Sequence, residues 1–211
     1  MSTFLAGFGL GLSLILAIGA QNAFILRAGL LRQHVFVLCS VCAVSDALLI
    51  AAGVSGLGAL VGKFPLFLVF MKYAGAAFLF AYGFRSLLKS FRGGRSLLAK
   101  GEVGSLRQSV IICLLFTWLN PHVYLDTVIL LGIASTQYSE NMHFAAGAII
   151  ASFIFFYSLG FGARLLSNFF EHSLSWKILD GIIGIIMWGI AFSLVYGLSL
   201  IHISEPTRLR R

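Results

Sequence analysis

The sequence predicts an all-α integral membrane protein of about six transmembrane helices, arranged as two inverted three-helix halves. Three observations carry that prediction. Of 211 residues, 59% are hydrophobic and only 10% are charged, whereas soluble domains carry about 25% charged residues. The mean hydropathy is +0.98. Apolar stretches also recur at lengths near the ~20 residues that cross a bilayer. An open strand would leave its backbone unpaired in lipid, so these stretches are read as helices. The 23 Gly and 20 Phe suit them, because small residues let membrane helices approach closely.

The charge-poor windows are 3–26, 35–62, 66–84, 109–135, 144–163 and 178–200. The first follows Met-Ser-Thr without a basic region or a cleavage pattern, so it reads as a retained helix and not a removable signal. Most connections are short, but 85–108 is long and basic. It divides a single transporter domain, 1–197, into halves at 3–84 and 109–197. Loops 27–34, 85–108 and 164–177 hold ten Lys or Arg, against Lys63 and Lys72 on the opposite side. The excess belongs to the cytoplasm, which places both termini outside. The formal charge of +8 is thereby explained without a nucleic-acid partner.

The tail disagrees with that orientation, since Arg208, Arg210 and Arg211 would lie outside. Residues 198–208 read like the translation of a transposase adapter used in preparing sequencing libraries. Residues 198–211 are therefore expected to be non-native and are set aside from fold reasoning. Three helices per half invert the second half relative to the first. An offset of 106 aligns Gly75 with Gly181, Tyr82 with Trp188 and Gly83 with Gly189, and Asn22 and Asn120 interrupt the first helix of each half.

Polar residues at bilayer depth are costly and default to function. Gln21 and Asn22, in the run Gly19-Ala-Gln-Asn-Ala-Phe24, place two amides where they could line a cavity; they could equally be interfacial residues at a helix end. Asp46, beside Ser45, is the one charge in a window of more than 25 residues. It needs a cavity, a partner or a proton; a structural ion pair or hydrogen bond to a neighbouring helix is the plainer reading.

The densest constellation runs from Thr117 to Thr127: Thr-Trp-Leu-Asn-Pro-His-Val-Tyr-Leu-Asp-Thr. Pro121 lacks an N–H and disfavours helical geometry at Asn120, so the helix is expected to break there. The exposed N–H groups beyond the break would suit a substrate carboxylate. Asp126 would face a cationic group, with Trp118 or Tyr124 offering a ring face. A simple proline kink with aromatic packing would leave Asp126 unexplained.

Other polar residues carry less. His122 has no second ligand at a metal-binding spacing, so neither a metal nor a cofactor is implied. Lys72 and Asp180 lie near helix ends and are expected to snorkel to the interface. Cys39 and Cys42 share a helix face, which keeps a membrane thiol-redox carrier open as a rival class. No Gly-rich phosphate loop is present, which excludes transport driven by ATP hydrolysis within this chain, and no catalytic constellation points to an enzyme.

These motifs resemble the lysine/arginine exporter family (LysE type) over about residues 7–197, and its arginine-exporter branch above all. The most specific matches are the runs at 19–24, 45–46 and 117–126. Where the family pattern carries Pro before Gln-Asn, this chain has Ala20; Gly19 still permits a bend. The resemblance implies a bacterial inner-membrane secondary transporter that exports L-arginine, with L-lysine as a second candidate, by antiport coupled to the proton gradient. It implies that Asp46 responds to protons or binds cations. Asn120 and the backbone after Pro121 would take the α-carboxylate, and Asp126 the cationic side. Gln21 and Asn22 would shape the wall. The implied partners are an amino acid, protons and the lipid bilayer, with a homo-oligomer open. An exporter of neutral amino acids is the alternative within the same fold.

Overall fold

The computed structural model describes residues 1–16, 19–57, 65–92, 104–170 and 172–197. The 198–211 tail, residues 93–103 of the central loop and Lys63 lie outside them. Every regular element among the described residues is helical. The first half contains α1 (Ser2–Ile15), α2 (Ala20–Leu30), α3 (Val35–Ala52) and α4 (Pro65–Arg92). The second contains α5 (Leu106–Trp118), α6 (Pro121–Ser135), α7 (Asn141–Gly162) and α8 (Ser173–Gly197).

Val35–Leu57, Asn141–Leu166 and Leu174–Tyr196 are each long and apolar enough to cross a bilayer. Two further spans follow if α1 with α2, bent by 83°, and α5 with α6, bent by 58°, each cross as a broken helix. That makes up to five spans. The remaining expected window, 66–84, lies within α4, a helix of 28 residues.

Each half thus repeats one order: a broken helix, then two long ones. The packing exchanges partners between halves as an inverted repeat requires. Helix α1 packs on α7, α5 packs on α3, and α4 packs on its counterpart α8. At this last seam Trp188 Nε1 donates to the Phe80 carbonyl at 3.3 Å.

Lipid is as apolar as a leucine side chain, so close van der Waals approach must hold these helices together. At the α1–α7 seam a Cβ on Gly7 would strike the Phe144 carbonyl, and one on Gly147 would strike the Phe4 carbonyl. Glycine is required at both positions by proximity alone. Large apolar side chains such as Phe36, Ile154, Ile185 and Tyr196 face outward, as lipid-facing surfaces should.

Two expectations fail here. Lys72 is only 6% exposed and Asp180 is fully buried, so neither snorkels. Asp180 is instead ion-paired with Arg27 of α2. A side chain can snorkel only when its end of the helix is uncovered, and α2 covers Asp180 from the other half.

Candidate functional site

Both helix breaks border one cavity of about 320 Å³. Its wall includes Gln21 and Asn22 from α2, Asp46 from α3, Asn120 at the second break, and Asp126 from α6. Five of the eight residues singled out as a candidate site therefore meet, although they are separated by up to about a hundred positions in sequence.

The first break is built from small residues. Gly19 takes an extended conformation, φ −118° and ψ 170°, and caps α2 without a side-chain hydrogen bond. Asn22 turns back instead, donating from Nδ2 to the Ile15 carbonyl at 2.9 Å. That bond serves a carbonyl left without a helical partner at the end of α1. Gln21 Nε2 is buried with no hydrogen-bond partner among the described residues, and Gly19, Ala20 and Gln21 all line the cavity. The start of α2, with its partial positive charge, therefore opens onto the cavity.

The second break closes on itself. Asn120 is extended, φ −92° and ψ 108°, and its Oδ1 accepts from the His122 N–H at 3.1 Å. Pro121 has no N–H, the Val123 N–H donates to the Asn120 carbonyl at 3.1 Å, and that of Tyr124 donates to the Pro121 carbonyl. The backbone after Pro121 is thus already engaged, contrary to its expected role as the carboxylate site.

Trp118 and Tyr124 are also redirected. Tyr124 donates its hydroxyl to the Trp118 carbonyl at 2.9 Å, and Trp118 Nε1 donates to Ser45 Oγ at 3.3 Å. Neither ring lines the cavity; they stitch the break from behind. Pro121 is buried in the same support, where a Cβ on Gly75 of α4 would strike the Leu119 carbonyl. Beyond Pro121 the helix widens into π turns over Tyr124–Leu130. Such bulges often occur at functional sites, and this one carries Asp126 and Thr127 to the cavity wall.

Asp46 is 5% exposed, and its Oδ2 accepts from Ser152 Oγ of α7 at 2.9 Å. The bond crosses between halves and leaves Oδ1 for other contacts. Asp126 is half-buried, with His122 one turn before it. Among the described residues no Lys or Arg lines the cavity. Its fixed charge is therefore acidic, and it suits a ligand bearing positive charge.

Sequence reasoning did not assign Ser152, Thr127, Ser193 or Phe156 to this site, and it weighed His122 only for a metal. One signal was present: Ser152 follows Asp46 by 106 positions, the offset that aligns the last helices of the two halves. The cysteines separate as well. Cys39 Sγ bonds to the Phe156 carbonyl at 3.1 Å, whereas Cys42 Sγ lies 3.0 Å from Cys113 Sγ of α5. Sharing a helix face did not make Cys39 and Cys42 a pair.

Comparison with known proteins agrees with this architecture. The sequence profile of the LysE type translocators matches residues 12–198. The chain is 40% identical to the arginine exporter protein ArgO of Yersinia enterocolitica over 95% of its own length and 100% of the relative's. It is 36% identical to ArgO of Serratia proteamaculans over 93% and 97%, and 40% identical to the putative amino-acid transporter YggA of Aeromonas salmonicida over 93% and 97%. No solved structure matches significantly. A cavity bordered by two broken helices and a family match over nearly the whole chain lead to one assignment: the protein belongs to the LysE type translocator family, as a multi-pass protein of the bacterial inner membrane.

Proposed function

We propose that this protein exports basic amino acids, L-arginine first and L-lysine second, across the inner membrane in exchange for protons. The observation that carries the reading is a cavity with two carboxylates, Asp46 and Asp126, no Lys or Arg among the described residues, and the start of α2 in its wall. The names of the ArgO relatives support arginine as the substrate. At about 320 Å³, the cavity lies at the small end of the ~300–1,000 Å³ typical of ligand sites, a size suited to a single amino acid.

In this reading the α-carboxylate docks at Gly19–Gln21, where backbone N–H groups and the Gln21 amide point at it. Asn120 stands in the same wall. Asp126 receives the guanidinium or ammonium group. Asp46, held by Ser152, alternates between substrate and proton, so that proton entry from outside favours release. Six crossings, with α4 as one of them, place both termini outside and the basic loops in the cytoplasm.

The test is efflux of labelled arginine from preloaded cells expressing the full chain, with and without a protonophore. Protonophore-sensitive efflux, inhibited by lysine but not by homoserine or threonine, is the expected result. Efflux of homoserine or threonine with no arginine efflux, from membrane-inserted protein, would overturn the reading in favour of a neutral amino-acid exporter.

A further inference from the structure

Arg27 and Asp180 do not line the cavity, yet they form a buried ion pair between the halves. Arg27 Nη1 of α2 donates to Asp180 Oδ1 of α8, with the two residues 6% and 0% exposed. The guanidinium also lies 5.9 Å from the centroid of the Trp176 ring. Asp180 Oδ2 is buried with no hydrogen-bond partner among the described residues. Arg27 follows Asn22 by five positions, about 8 Å along the helix, toward the loops that the charge count assigns to the cytoplasm.

Rings cluster around Phe24, three residues before Arg27 on α2. Phe24 of α2 meets Phe116 of α5 at 5.7 Å and Tyr82 of α4 at 6.4 Å, and Phe78 meets Phe116 at 5.0 Å. The ring cluster and the ion pair thus both tie α2 to helices of the rest of the bundle.

A buried ion pair is a poor device for stability alone, since desolvating both charges offsets much of their attraction. Removing one partner leaves the other charge uncompensated and is costly. A cation that takes Arg27's place on Asp180 avoids that cost. We propose that Arg27–Asp180 is the cytoplasmic latch of the transporter, and that Asp180 is the carboxylate that first receives the substrate's guanidinium or ammonium group as the latch opens. The open Oδ2 gives the entering group an acceptor before Arg27 has left. This inference rests on the cationic-substrate reading above.

The experiment compares wild type with Arg27→Gln/Asp180→Asn, which replaces the ion pair by neutral groups of similar size. Arginine exchange is measured in inside-out and right-side-out vesicles, and a Ser193→Cys reporter in the cavity wall is labelled from the cytoplasmic face by an impermeant maleimide. The neutral pair should raise the cytoplasmic-face KM for arginine about tenfold, as expected for one lost charge contact, and speed labelling several-fold. The exchanged pair Arg27→Asp/Asp180→Arg should restore slow labelling. Unchanged cytoplasmic KM and labelling in the neutral pair, or labelling that stays fast in the exchanged pair, would overturn the latch. A wild type that exchanges no arginine would overturn the cationic-substrate reading instead, and the labelling arms would still decide the latch.

Discussion

The two helix breaks sit on one cavity but handle their polar groups in opposite ways. At the α1–α2 break Gly19 bends the chain with no side-chain cap, and Asn22 reaches back to the Ile15 carbonyl. At the α5–α6 break Pro121 forces the interruption, Asn120 caps the new helix, and Tyr124 serves the Trp118 carbonyl. The first break leaves its positive helix end open to the cavity; the second consumes its own and contributes a carboxylate instead. Two breaks in one chain can therefore present a helix start and a carboxylate on the same wall.

Closing the open end should have the largest effect. Gly19→Asp places a preferred cap at α2, competing with the substrate carboxylate for the same N–H groups. Arginine efflux should fall by roughly 100-fold, the scale of losing a charge-assisted anchor of about 3 kcal/mol, while thermal stability holds or rises. Efflux and a melting temperature on the same purified protein separate the two effects.

Removing the imposed break comes next. Pro121→Ala returns an N–H and allows a straighter helix, which would carry Asp126 away from Asp46. Efflux should fall about tenfold, because small misplacements of positioning groups are costly. Asn120→Ala should cost about 1 kcal/mol of stability, the value of an N-cap, visible as a lower melting temperature with a KM raised only a few-fold. Tyr124→Phe should change least. It removes one hydrogen bond worth about 1 kcal/mol, and efflux should stay within about twofold of wild type, because its ring stands behind the break.

The contrast between the breaks also marks what the sequence could show. Helical membrane class, the break at Pro121 and the two carboxylates that line the cavity, Asp46 and Asp126, were legible, because hydropathy, a missing N–H and a charge in an apolar run are local properties. The partners were not. Nothing local to Asn120 says whether its oxygen faces a substrate or caps its own helix, and nothing local to Asp180 says that α2 will cover it. Ser152 looked like any small residue in an apolar run until its position relative to Asp46 was compared between halves. Trp118 and Tyr124 misled for the same reason: the way each ring is turned depends on the partner its polar end finds, and these two find Ser45 and the Trp118 carbonyl.

The central claim is that this cavity reads positive charge on its ligand, with Asp126 on the cationic side chain. It is tested most directly by calorimetric binding of arginine and of citrulline, its neutral isostere, to the purified full chain and to Asp126→Asn. The wild type should prefer arginine by about 100-fold, a difference near 3 kcal/mol, and the preference should collapse in the variant. Equal binding of the two ligands by the wild type, or a preference that survives in Asp126→Asn, would contradict the account.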